Sequence, residues 1–192
     1  MIRVLLLAAA LAVPIPAPAP DYADLYARGV PFTDFLSRAT SRQEEWRSRY
    51  RDAVVSAELV ARARALPGRH RLLVVAEDWC GDSAQTVPYL EKLVEASPDT
   101  LELRIVRAKI GRAVMDAHPT PDGRGATPTV AVLGADGGLV GAWSERPAEL
   151  EAWSIEQRKV LSQRELHDRI AKWYAEDAGR SALSEILALI TR

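Results

Sequence analysis

Arg71-Leu72-Leu73-Val74-Val75-Ala76-Glu77-Asp78-Trp79-Cys80-Gly81-Asp82-Ser83 runs from an unbroken apolar segment into a short acidic loop holding the chain's single cysteine. The segment Leu72 to Val75 reads as a central strand buried on both faces, since a strand with one solvated face would alternate apolar and polar residues. Beyond Cys80 the pattern turns helical: Val87, Leu90 and Val94 recur at three- and four-residue spacing, and Ser97-Pro98 closes the helix. Cys80 therefore stands where a strand hands over to a helix. A sulfur in that place faces the free N–H groups and the positive end of the helix, both of which favour a thiolate. With no second cysteine, no disulfide can form within one chain.

Upstream, Tyr22, Leu25 and Tyr26, then Phe32, Phe35 and Leu36, then Trp46, Tyr50, Val54, Leu59 and Val60 mark narrow apolar faces at helical spacing. They predict short helices from Asp21 to about Leu66, stopped by Pro67-Gly68. Downstream, Leu101, Leu103 and Ile105 alternate with Glu102 and Arg104, as a strand with one buried face requires. Val130 to Leu133 and Leu139 to Trp143, joined by Gly134-Ala135-Asp136-Gly137-Gly138, predict a hairpin. Helices are expected from about Ala148 to Ala175 and from Ser181 to Ile190, divided near Gly179. The order is that of an α/β fold, a central mixed sheet flanked by helices, over residues 67–192, with a helical extension over 21–66.

Nearly half of the 192 residues are hydrophobic and the formal net charge is −1, which suits one globular domain with an appendage. Arg47, Arg49 and Arg51 are flanked by Glu44, Glu45 and Asp52, so they form a solvated helix face and no nucleic-acid partner is expected. His70, His118 and His167 are scattered, predict surface positions and offer no metal-ligand spacing. The acidic residues around Trp153 and Trp173 fit solvated helix faces, with the tryptophans anchoring helices to a core. Asp122-Gly123-Arg124-Gly125-Ala126 is a loop with no helix start behind it, which excludes a phosphate cradle. At the start, basic Met1-Ile2-Arg3, an apolar run from Val4 to Val13 and a Pro-Ala segment to Pro20 have the form of an export signal too short to span a membrane. Pro20 after Ala17-Pro18-Ala19 makes a poor cleavage site. Residues 1–20 are thus read as a signal peptide of an exported protein, with a disordered tail, or a misassigned start ahead of a cytoplasmic protein, as the alternatives.

The strand leading into Trp79-Cys80-Gly81, Pro88 inside the following helix, and Thr127-Pro128-Thr129 ahead of an apolar strand together resemble the thioredoxin pattern over residues 70 to 150. The stretch from Leu101–Val106 to Trp143-Ser144-Glu145-Arg146-Pro147, behind a helical segment, is similar to a bacterial thioredoxin-like group whose members usually read Trp-Cys-Gly-Asp-Cys. The resemblance implies a thioredoxin-like fold, a reactive sulfur on Cys80, a helix kinked at Pro88, and a cis-proline at Pro128 facing the sulfur. It further implies that Trp79, Gly81, Asp82, Thr127 and Pro128 contact substrate. The chain departs from the pattern twice: Ser83 replaces the second cysteine, and Val74 occupies the place of the buried aspartate that typical members carry six residues before the reactive cysteine.

A free thiol ionises near pH 8.5, so only about 3% is thiolate at pH 7. The helix end pulls toward the anion, while Glu77, Asp78 and Asp82 push against it if their carboxylates face the sulfur. Ser83, one turn on, is a candidate donor of an O–H to the thiolate, or an ordinary first-turn residue. Three functions remain open. One is monothiol thiol-disulfide exchange through Cys80 on protein disulfides or small-molecule thiols, with no bound cofactor and with glutathione or another small thiol as co-substrate. Another is a redox-inactive binding protein that holds an extended segment between Trp79 and Pro128. The last is an iron-sulfur carrier resembling the monothiol glutaredoxins, whose Cys-Gly-Phe-Ser motif is echoed by Cys80-Gly81-Asp82-Ser83.

Overall fold

A computed structural model describes residues 19–191. The expected export segment lies almost wholly outside them. Four strands, β1 (His70–Val75), β2 (Leu101–Val106), β3 (Thr129–Leu133) and β4 (Leu139–Ser144), form one mixed sheet in the order β2-β1-β3-β4. β1 runs parallel to β2, with Leu72 opposite Leu103 and Val74 opposite Ile105, and antiparallel to β3, with Val74 opposite Val130. The parallel pair is joined by α5 (Gly81–Ala96), the crossover helix that such a pair requires. The β3–β4 hairpin turns through Gly137, at φ 83°, with Gly134 N–H donating to the Gly138 carbonyl at 2.8 Å.

The central strand is apolar on both sides because both sides are covered. Leu72 and Val74 point into the larger core cluster with Leu103, Ile105, Val130 and Val132. Leu73 and Val75 point the other way, packing with Leu25, Tyr26, Val114 and Met115. The first layer holds α5 together with α2 (Phe32–Ser37), α3 (Gln43–Asp52), α4 (Ala57–Arg64) and α9 (Arg180–Ile190). The second holds α1 (Tyr22–Arg28) and α6 (Arg112–Ala117). Phe32, Phe35, Trp46, Leu59 and Ala63 from the upstream helices belong to the same buried cluster as β1. Val30 also bridges Ile105 through two backbone hydrogen bonds of 2.8 and 2.9 Å, continuing the sheet past the β2 edge.

Two expectations need correction here. The helix anticipated from Ala148 to Ala175 is two helices, α7 (Ala148–Gln157) and α8 (Gln163–Asp177). The break is set by a capping box, in which Ser162 accepts the Glu165 N–H and the Glu165 carboxylate accepts the Ser162 N–H. His70 is buried, not on the surface, because it starts the central strand; burial lowers its pKa below the ordinary histidine value.

α8 and α9 are separated at Gly179, which has φ 76° and lies against the Tyr89 ring on α5. An ideal Cβ at this position would come within 2.5 Å of Tyr89 Cγ. Gly179→Ala is therefore expected to destabilise the protein by about 2 kcal/mol or more, combining left-handed backbone strain with overpacking. Urea denaturation checks this: an unchanged midpoint would show that the turn accepts a side chain.

Candidate functional site around Cys80

Cys80 is the N-cap of α5, in extended backbone geometry, and its Sγ accepts the Ser83 N–H at 3.5 Å. The thiol donates to the Thr127 carbonyl at 3.1 Å, and the Thr127-Pro128 peptide bond is cis. Cys80 is 8% exposed, at the wall of a cleft of about 490 Å³ that Trp79, Gly81, Asp82 and Thr127 also line. Trp79 is 61% exposed on this cleft. Five of the expected site residues thus share one cleft. Ser83 and Pro128 are buried and lie off its lining. The Ser83 hydroxyl has no hydrogen-bond partner, so Ser83 serves the sulfur through its backbone N–H and not through the anticipated O–H. The Pro128 carbonyl already accepts the Glu145 N–H at 2.7 Å, which leaves Thr127 as the residue whose backbone borders the cleft. Val74 lies in the apolar core, so no ionisable side chain stands at the position that the resemblance assigns to a buried aspartate.

The three acidic residues of the loop turn away from solvent onto arginines. Asp78 accepts Arg107 at 2.6 Å through one oxygen and the N–H groups of Thr40 and Ser41 at 2.7 and 3.3 Å through the other. The Arg107 bond, aided by those N–H groups, holds its carboxyl well below the usual carboxylate range despite burial. Glu77 takes Arg107 at 2.8 Å and the Ala108 N–H at 2.9 Å. Asp82 is gripped by both arms of Arg146 at 2.7 and 2.9 Å and receives the Tyr174 hydroxyl at 3.0 Å. Burial, then the Asp82 charge, pushes the Tyr174 phenol well above its ordinary pKa, so it remains a donor. The loop backbone is fixed as well: Trp46 Nε1 donates to the Asp78 carbonyl and Arg42 Nε to the Trp79 carbonyl, each at 2.9 Å.

Arg146 is the centre of a wider network. It also pairs with Glu145 at 3.0 Å and Glu151 at 2.9 Å, and Arg124 from the loop ahead of Pro128 reaches Glu145 at 2.7 Å and Glu151 at 3.3 Å. The side chain of Glu151 is 2% exposed, and Asp177 is buried too, which corrects the expectation of solvated acidic faces for these two residues, while Glu149, Glu156, Asp168 and Glu176 around Trp153 and Trp173 are exposed as expected. The reason is that each has polar partners in the interior: Glu151 meets Arg124 and Arg146, and Asp177 accepts the Ser181 N–H and hydroxyl at the start of α9. Glu145 adopts φ 61°, and burial raises its carboxyl pKa despite the two arginines. Arg107, Arg146, Glu145 and Tyr174 escaped the residue-by-residue reading. The one signal for them in the sequence is Glu145-Arg146-Pro147, inside the stretch that resembles the bacterial thioredoxin-like group.

Two predictions follow from this geometry. Asp78→Asn should cost about 2–3 kcal/mol at pH 7, because it leaves Arg107 without its closest partner. Since the native carboxyl titrates below its unfolded value of 3.8, the lost stability is present above that pH and disappears as the pH falls below it. The difference in urea stability between wild type and variant should therefore shrink from pH 5 to pH 2; a constant difference would contradict the pairing. Separately, Arg146→Met frees the Asp82 carboxylate near the sulfur, and should slow Cys80 alkylation at pH 6.5 by about threefold to tenfold. Adding Asp82→Asn should restore the rate. A slow double variant would mean that Arg146 acts only by holding the structure.

A sequence profile of the thioredoxin family matches residues 29–160. No curated protein matches the chain. Among solved structures, a protein of unknown function from Pseudomonas aeruginosa is similar at 24% identity and a TM-score of 0.70, covering 90% of this chain and 98% of that one. An HIV epitope-scaffold is similar at 24% identity and a TM-score of 0.68, with the same coverage. Both likenesses concern the fold. The profile takes in α2 to α5, the sheet and the Cys80 cleft, and on that match the chain belongs to the thioredoxin family.

Proposed function

We propose that the protein carries out monothiol thiol-disulfide exchange through Cys80. The observation that supports this best is the sulfur at the start of α5, receiving the Ser83 N–H beside a cis Thr127-Pro128 bond while every carboxylate of its own loop is bound to arginine. Such a sulfur meets a helix end without the opposing field of three free acids. In the reaction, the Cys80 thiolate attacks one sulfur of a disulfide, a new S–S bond forms as the old one breaks, and the electron pair leaves on the second sulfur. With no second cysteine in the chain, the mixed disulfide is released by an outside thiol such as glutathione, or by the partner's own second cysteine.

A second reading, a thioredoxin fold kept for binding, is favoured by one detail. The thiol hydrogen is engaged by the Thr127 carbonyl and the sulfur is largely covered. An extended segment would then lie in the cleft between Trp79 and Thr127.

Incubation with oxidised glutathione followed by intact-mass measurement separates the two. Exchange predicts a single glutathione adduct on the wild type, removable by reduced glutathione, and none on Cys80→Ser. No adduct at a large excess of disulfide would support the binding reading. Ser83→Cys should restore an internal resolving thiol and raise turnover in a disulfide-reduction assay driven by dithiothreitol by about tenfold. Unchanged turnover with both thiols free would show that Cys80 is not the attacking group.

A further inference from the structure

The acidic sequence around Cys80 suggests a negatively charged mouth, but the structure exposes the opposite sign. Of the charged residues lining the cleft, Asp82 and Glu145 have side chains only 15% and 8% exposed, and both are bound to Arg146. The cations on the same lining are open: Arg112 at the start of α6 is 73% exposed and Arg124 is 42% exposed. Among the described residues, Arg112 is held by Asp116 alone, one turn along its own helix, at 3.0 Å. A surface pair of that kind is weak and readily yields its guanidinium to another carboxylate. Arg124 is anchored by Asp122 at 2.8 Å as well as by Glu145 and Glu151, which fixes its position without covering it. Between the arginines the lining is apolar or small, with Met115, Ala108 and Ala126, and the exposed Trp79 ring belongs to the same lining.

We propose that the Cys80 cleft selects disulfides carrying negative charge next to the reacting sulfur, with Arg112 and Arg124 receiving the carboxylates. This rests on the exchange reading above and names its substrate class: a small acidic disulfide, or a cystine flanked by acidic residues. A group entering the cleft meets the exposed guanidiniums of Arg112 and Arg124, with the half-exposed Asp116 carboxylate beside the first, whereas the Asp82 and Glu145 carboxylates on the lining are buried against Arg146. The chemistry is unchanged. The Cys80–sulfur bond forms, the substrate S–S bond breaks, and the departing thiolate takes a proton from water.

Three symmetrical disulfides test this: dithiodipropionate, bearing two carboxylates; bis(2-hydroxyethyl) disulfide, neutral; and cystamine, bearing two ammonium groups. Each rate with the protein is divided by the rate with mercaptoethanol at the same pH, which removes differences in leaving group. At low salt the normalised rate for the anion should exceed that for the cation by about tenfold, with the neutral compound between them. The ratio should fall severalfold in 0.5 M salt. Arg112→Ala, a change at an exposed position, should lower the anion-to-cation ratio about threefold. A ratio of one or below, or a ratio insensitive both to salt and to Arg112→Ala, would overturn the charge selection while leaving exchange intact. Normalised rates at or below one for all three compounds would overturn exchange itself, and the selection with it.

Discussion

The pairing of Arg146 with Asp82 is the interaction on which the rest of the site depends. A carboxylate two residues past Cys80, in the first turn of α5, is well placed to satisfy helix N–H groups, but left unpaired it would oppose negative charge on the sulfur. Arg146 resolves that conflict by taking both Asp82 oxygens, and the Tyr174 hydroxyl adds a third bond from α8. Such a pair lies largely out of water, so its net contribution to stability is small even though removing one partner is costly. Its value is positional. It ties the start of α5, the end of β4 and α7 to one guanidinium, with α8 joined through Tyr174 and Asp82.

The same logic holds on the other flank. Asp78 and Glu77 share Arg107, and the Asp78 carboxylate also caps the chain at Thr40 and Ser41 ahead of α3. The upstream helices therefore do more than cover the sheet: Trp46 and Arg42 hold the carbonyls of Asp78 and Trp79 directly. The acidic loop is braced from the N-terminal side by α3 and from the C-terminal side by β4 and α8, and the sulfur sits between.

Much of the fold was legible in the residues because it rests on local signals. Leu72 to Val75 reads as a doubly buried strand, the alternation from Leu101 to Ile105 gives a strand with one buried face, and the five-residue glycine-bearing turn gives the hairpin. The capping box at Ser162 and Glu165 was equally local, and shows that a continuous helical pattern can hide a break when caps are not sought. The position of Cys80 and its cleft neighbours followed from the strand-to-helix handover and the Thr-Pro motif. The electrostatics did not. Which arginine meets which carboxylate depends on contacts such as Arg146 with Asp82, 64 positions apart, and no periodicity encodes them. His70 and Glu151 were misplaced for a related reason: polar residues enter an interior when a partner or a strand end carries them there, and single-residue preferences cannot register that.

The central claim is that folding removes three carboxylates from the field of one sulfur and leaves it the helix end. Its most direct measurement is the alkylation rate of Cys80 by iodoacetamide at pH 6, in the native protein and in the same chain unfolded in urea. A neutral reagent keeps the charged cleft rim out of the comparison. A native rate at least about tenfold above the unfolded one is expected; a native rate equal to or below it would contradict the claim.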